Sequence, residues 1–222
     1  MVSNVLSALL IFAKWPVPGA VKTRLSPPLT AEEAANLYRC MLLDTLAATR
    51  SLAGITRILC YDGGAQEKHF RELAPEVRLV RQQGEGLGER LQSAFGEAFG
   101  NGFSSIAVIG TDTPHLATAR VVAAFSLLAK GETDLVFGPS DDGGYYLLAM
   151  KQQHPELFRA IPWSSATVLE ESLARAAAAG LRSTLLPGDF DLDTVDELHR
   201  FMALPDQDTA PLTREYLHRL GF

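Results

Sequence analysis

The chain has 222 residues and a net charge of −6 at pH 7; 47% of its residues are apolar and 21% charged. That length and balance fit a soluble globular protein with a real core, and the expected organisation is a single domain over 1–222. The acidic excess argues against general nucleic-acid binding, so any basic patch has to be local.

The chain opens "MVSNVLSALLIFAK", which superficially resembles a secretory leader. It has no positive segment ahead of the apolar run, the run is short, and the lysine follows it. No stretch reaches the roughly 18 apolar residues that a membrane span requires. The expected location is the cytoplasm. Cys40 and Cys60 fall in an apolar helix pattern and an apolar strand pattern with no metal-ligand spacing, so they read as reduced core thiols.

"SALLIFA" (7–13) is apolar on both faces, the pattern of a central parallel strand. A helix follows over 30–50, with Ala34, Leu37, Tyr38, Met41, Leu42, Thr45 and Leu46 on one face. Thr30 and Glu33 have capping-box spacing, which places its start. "ITRILCY" reads as a second strand, a short polar helix follows, and "VRLVRQ" is a third strand. The helical spacing returns at Leu87, Leu91, Ala94, Phe95 and Ala98. "SSIAVIG" is a buried strand, "ARVVAAFSLLAK" a helix, and "DLVFGP" and "GYYLLAM" are strands. A helix near 167–180 ends at Gly180, a residue suited to a left-handed cap. "STLLP", "TVDELHRFM" and "PLTREYLHRL" close the chain as one strand and two helices. This alternation predicts an α/β fold with a mostly parallel sheet and right-handed crossovers.

Five polar, turn-rich segments fall mostly after strands: "KWPVPGAVKTR", "QQGEGLG", "GTDTP", "GPSDDGG" and "DFDLDT". Ligands of open α/β sheets bind beyond the carboxyl ends of the strands. In the first segment, Pro16, Pro18 and Gly19 set a stiff turn, and Lys14, Lys22 and Arg24 could surround a di- or triphosphate. It is neither a Walker A motif nor a dinucleotide fingerprint, because "GxxxxGK[ST]" and "GxGxxG" are both missing. In "IAVIGTDTPHL", Asp112 follows a buried strand, where a hard oxygen ligand suits Mg²⁺ or Mn²⁺; a helix cap explains it equally well. Asp189, Asp191 and Asp193 alternate, so an extended backbone puts them on one side, where they repel unless a cation lies between them. Capping by Asp193 or Thr194 is the structural alternative. No glycine and bidentate glutamate follow at EF-hand spacing. In "SDDGG", Asp141 and Asp142 could orient a substrate hydroxyl or act as a base, or mark a plain hairpin turn. His69, His115, His154, His199 and His218 are scattered without ligand spacing.

"FAKWPVPGAVKTRL", "GLGERL", "GTDTPHL", "GPSDDGGYYLL", "PWSSATVL" and "DLDTVDEL" together resemble a bacterial family assigned to glycosyltransferases of the GT-A, nucleotide-diphospho-sugar transferase fold. Some of its members are assigned to arsenosugar biosynthesis. The resemblance runs from about Leu9 to Leu198 in the same motif order. "KTRLSPPLTAEEAANL" is also similar to the opening of archaeal 2-phospholactate guanylyltransferases, whose fold is shared with molybdenum-cofactor guanylyltransferases. The resemblance implies a three-layer, Rossmann-like GT-A fold. It further implies that Lys22 lies on nucleotide phosphates, that Asp112 binds the metal, and that Asp193 completes its shell. Relatives usually read "DTPEDL" where this chain has "DTVDEL", which keeps the aspartate and alters the turn after it.

The combined reading is a metal-dependent transferase acting on a nucleotide substrate, with an NDP-sugar donor and a small-molecule acceptor. Nucleotidyl transfer to a small phosphorylated acceptor is the alternative, and a non-catalytic nucleotide-binding protein the second. Expected phosphate and nucleotide contacts are Lys14, Gly19, Lys22, Arg24, Gly86, Leu87, Gly88 and Thr111. Asp112 and Asp193, with Asp191, are the expected ligands of Mg²⁺ or Mn²⁺. Asp142 is the candidate for activating the acceptor, and Lys22 for neutralising phosphate charge. Oligomerisation is left open.

Overall fold

A computed structural model describes residues 6–63, 66–205 and 208–222. The first five residues, part of the amino-terminal segment discussed above, lie outside these ranges. Among the described residues, seven strands form one sheet in the order β3-β2-β1-β4-β6-β5-β7. They are β1 (Ser7–Ala13), β2 (Ile55–Tyr61), β3 (Arg78–Arg81), β4 (Ser105–Ile109), β5 (Leu135–Pro139), β6 (Tyr145–Met150) and β7 (Ser183–Leu185). The helices are α1 (Ala31–Thr49), α2 (Glu67–Leu73), α3 (Leu87–Gly100), α4 (Thr118–Lys130), α5 (Val168–Ala178), α6 (Val195–Met202) and α7 (Pro211–Leu220). Among the described residues, no helix is long and apolar enough to cross a membrane.

The period-two alternation of each strand decides the layering. Leu9 and Ile11 face one side with Leu59, Ala107 and Val136, where Leu42 and Leu46 of α1, Phe70 of α2, and Val121 and Leu128 of α4 cover them. Ala8 and Leu10 face the other side with Ile58, Ile106, Phe137 and Leu148, beneath Leu91 and Phe95 of α3 and Ala176 of α5. A further cluster joins Leu37 and Met41, on the outer face of α1, to Leu198 and Phe201 of α6 and Leu217 of α7. Helix α1 is therefore apolar on two faces, and it starts at the predicted Thr30–Glu33 capping box.

Two features of the topology make the site. β1 pairs in parallel with both β2 and β4, while the chain runs outward from β1 to β3 and then returns to the far side at β4. The loops after β1 and β4 consequently diverge and leave a crevice, as at the switch point of any doubly wound sheet. β6 is antiparallel to both β4 and β5. Its first residues therefore stand at the same edge as the last residues of β1 and β4. The periodicity did not indicate this reversal, because a strand buried on both faces reads alike in either direction.

Candidate active-site cleft

The crevice is a cleft of about 700 Å³ along that edge. From the β3 side it is lined by Asp62, Gln82, Gly86, Leu87 and Arg90, then by Lys14 and Lys22 of the β1 loop. Thr111 and Asp112 follow β4, and Tyr145, Tyr146, Ser164, Asp191 and Asp193 close the β6 side.

The β1 loop folds as its residues demand. Gly19 has φ +78, and Ala20 N–H donates to Val17 O at 3.0 Å. Lys22 itself is left-handed (φ 49, ψ 39), an uncommon state for a residue with a side chain. Its side chain is 2% exposed, and Nζ touches Asp112 Oδ1 and lies 2.7 Å from Asp193 Oδ1. Burial alone would lower the lysine pKa. The two carboxylates outweigh it and hold the ammonium firmly charged, above its ordinary range.

What brings these carboxylates together is main chain. Leu192 N–H donates to Asp112 O at 2.9 Å, laying the 189–193 segment along the end of β4. Thr194 is the N-cap of α6, with Glu197 as its reciprocal partner. Glu197 Oε2 also accepts from Asp193 N–H at 2.8 Å, so the Asp193 carboxylate has no capping duty and turns to Lys22. Nor is Asp112 a cap: α4 begins six residues later, after Ala117, with no side-chain cap. For both aspartates the capping alternative does not hold.

The alternating aspartates separate. Asp191 accepts from Thr113 Oγ1 at 2.5 Å and from Ser140 Oγ at 2.9 Å. Burial, reinforced by the nearby Asp112 charge, pushes its pKa up to about 6 against those hydroxyl bonds. Asp189 lies 3.0 Å from His115 Nε2 and 3.2 Å from Arg120. Burial would raise its pKa, but the His115 contact and the Arg120 charge hold it below the ordinary range. His115 sits between Phe190 and Phe201, ring centroids 4.6 and 5.4 Å away, and does not line the cleft.

Among the described residues, no group of three His, Cys, Asp or Glu side chains is placed to hold a metal. Asp112 and Asp193 alone converge, and they converge on a cation. Their side chains are 47% and 35% exposed, which leaves both open to the cleft. Two hard carboxylates with an open face fit Mg²⁺ or Mn²⁺ completed by water and phosphate oxygens. Asp191, expected as a third ligand, lines the same cleft but accepts from Thr113 and Ser140 and makes no contact with Lys22 among the described bonds.

Other expected site residues do not line the cleft. Gly88 does not reach the cleft: it is a packing glycine, since a Cβ there would come within 2.5 Å of Phe158 O and Trp163 Nε1. Gly19 and Arg24 lie outside the lining; Arg24 is 68% exposed, with Nη1 3.8 Å from Asp193. Asp142 belongs to the β5–β6 hairpin, where its Oδ1 accepts from Gly144 N–H at 2.9 Å. The plain-turn reading of "SDDGG" describes that geometry, and the carboxylate does not line the cleft.

Sequence reasoning assigned no site role to Tyr38, Asp62, Arg90, Tyr145 or Ser164. Tyr38 was legible as a core position of α1, and burial pushes its pKa up to about 12. Its hydroxyl accepts from Lys14 N–H at 3.0 Å and from Thr111 Oγ1 at 2.8 Å, tying the ends of β1 and β4 together. Asp62 follows β2 directly and pairs with Arg90 at 2.8 Å. Its place after a strand is the signal that would have found it.

A chain of this geometry has clear relatives. It is 31% identical to a protein of Desulfovibrio desulfuricans G20 provisionally assigned as a nucleotide-diphospho-sugar transferase, with a TM-score of 0.87 over 96% of this chain and 94% of that one. It is 27% identical over 202 residues to the 2-phospho-L-lactate guanylyltransferase of Methanocaldococcus sp. (strain FS406-22), spanning 91% of this chain and 83% of that protein. The 4-diphosphocytidyl-2C-methyl-D-erythritol synthase of Anaerococcus prevotii DSM 20548 shares the fold, with a TM-score of 0.62 at 11% identity over 97% of both chains. Residues 45–165 match a family described as "Uncharacterized protein conserved in bacteria (DUF2064)", and this chain belongs to that family.

Proposed function

We propose that this protein is a metal-dependent transferase that binds a nucleoside diphosphate moiety in the cleft and transfers the sugar of an NDP-sugar to a hydroxyl-bearing small molecule. The observation that carries the reading is how charge is divided along the cleft. Its lining cations are Lys14, Lys22 and Arg90, all on the β1 and α3 side or at the switch point. The β6 side presents Tyr145, Tyr146, Ser164, Asp191 and Asp193 and, among the described residues, no lining cation. Phosphates belong where the ammonium groups are. An anionic acceptor would meet Asp191, whose charge is eased only by the Lys22 ammonium that Asp112 and Asp193 already hold, whereas a neutral hydroxyl compound meets phenol, hydroxyl and carboxylate partners.

In this reading Gly86 and Leu87 face the base or ribose, and Lys14 and Lys22 neutralise phosphate oxygens. Asp112 and Asp193 would hold the Mg²⁺ or Mn²⁺, which when bound offsets the charge on the leaving diphosphate. The acceptor oxygen forms the new bond to the anomeric carbon as the sugar–phosphate bond breaks. The electron pair of that bond leaves with the nucleoside diphosphate. Asp191, the carboxylate on the acceptor side, takes the hydroxyl proton.

Nucleotidyl transfer is the second reading, favoured by the likeness to a guanylyltransferase. The products decide between them. Incubation with Mn²⁺, a panel of NDP-sugars and nucleoside triphosphates, and neutral or phosphorylated acceptors should release nucleoside diphosphate. Pyrophosphate release from a triphosphate with a phosphorylated acceptor would replace the glycosyl reading with the nucleotidyl one.

A further inference from the structure

The position of Lys22 carries an inference about how the site is loaded. Two carboxylates from separate segments, Asp112 after β4 and Asp193 before α6, close on one ammonium that is 2% exposed. The point where they converge is also where a divalent ion would have to stand. An ammonium and a divalent cation cannot share it: at contact distance their repulsion is several kcal/mol even when screened as at a protein surface. Nor can Lys22 simply withdraw, because a buried ammonium without a partner is costly. It needs new anionic oxygens, and a diphosphate in the cleft supplies them.

We propose that Lys22 is the resident cation of Asp112 and Asp193, and that a divalent metal takes these carboxylates only together with a nucleoside diphosphate, whose phosphate receives the displaced ammonium. The proposal rests on the nucleotide reading above and adds the regulation of that site: metal and nucleotide load as a pair. Four methylenes let Nζ exchange partners by side-chain rotation while the left-handed backbone at Lys22 stays in place. Arg24, 3.8 Å from Asp193 and largely exposed, pairs with that carboxylate, whereas the buried Lys22 holds both Asp112 and Asp193. By linkage, the factor by which the diphosphate tightens metal binding equals the factor by which metal tightens diphosphate binding.

The test measures Mn²⁺ binding to the whole protein, by the paramagnetic resonance signal of free Mn²⁺, with and without GDP or UDP. For the wild type, diphosphate should raise Mn²⁺ affinity at least about tenfold. Lys22→Met should bind Mn²⁺ without nucleotide at least about tenfold more tightly than wild type, a gain from deleting a cation. Adding Asp193→Asn to Lys22→Met should erase the gain, which locates the metal on the released carboxylates. Wild type binding Mn²⁺ as tightly as Lys22→Met without nucleotide would overturn the proposal. If Lys22→Met does not fold, the wild-type measurement still decides, since equal Mn²⁺ affinity with and without a bound diphosphate overturns the exchange. Failure of any diphosphate to bind, with or without Mn²⁺, instead overturns the nucleotide reading beneath it.

Discussion

Asp189 and Asp193 lie four residues apart on one segment, and each meets a basic partner, yet the two ends differ in kind. At the Asp189 end the carboxylate is 9% exposed, His115 is wedged between two phenylalanine rings, and Arg120 also bonds Tyr146 and the carbonyls of Pro187 and Gly188. Asp189, His115 and Arg120 do not line the cleft, and they latch the 187–189 return onto the start of α4. At the Asp193 end the carboxylate is 35% exposed and opens on the cleft, and its partner Lys22 holds a second open carboxylate. Access separates them. A closed ion pair holds the chain, whereas an open pair of carboxylates around one ammonium can exchange its partner for a ligand.

Four substitutions probe this difference. The largest effect is expected at the open end: Asp112→Asn should weaken metal-dependent diphosphate binding by about two orders of magnitude while leaving thermal unfolding cooperative. Titration calorimetry with GDP and Mn²⁺ checks it, and unchanged affinity would remove Asp112 from the metal assignment. At the closed end, His115→Ala should lower stability by about 2 kcal/mol in urea unfolding, through lost ring packing and a buried carboxylate left short of a partner. Its diphosphate affinity should fall far less than that of Asp112→Asn. An equal fall would show that the latch and the open pair form one unit.

Asp191, between the two ends, sharpens the contrast through pH. Its pKa is about 6 in the folded chain, above the ordinary carboxyl value. The unfolded chain therefore loses this proton first, and ionisation works against folding as pH rises from about 4 to 6. In metal-free buffer, Asp191→Asn should gain stability relative to wild type across that window, by up to about 2 kcal/mol. A difference between the two that stays constant from pH 4 to 7 would rule out the raised pKa. The smallest effect is expected at Asp142→Ala, which loses one exposed hairpin bond. It should cost about 0.5 kcal/mol or less and leave diphosphate affinity unchanged. A loss of binding would return Asp142 to the site.

The elements were legible in the residue order, because their signals are local. The apolar run of β1, the Thr30–Glu33 box, and Gly180 at φ +70 just beyond the end of α5 each depend on a few neighbouring residues. Lys14, Lys22, Gly86, Leu87, Thr111, Asp112, Asp191 and Asp193, singled out from loops that mostly follow strands, all line the cleft, because loops at the carboxyl ends of an α/β sheet converge there. The folded chain sets how three evenly spaced aspartates divide, with Asp191 and Asp193 lining that cleft and Asp189 turned away from it. Their spacing is identical, and the choice depends on partners from distant segments: His115 and Arg120 for Asp189, Thr113 and Ser140 for Asp191, Lys22 for Asp193. The same holds for Gly88, whose role is set by Trp163 across the interface, and for the reversed β6, which brings Tyr145 to the ligand edge. Spacing specifies what a side chain can do; the long-range neighbours, which no local pattern encodes, decide whether it faces a ligand or the fold.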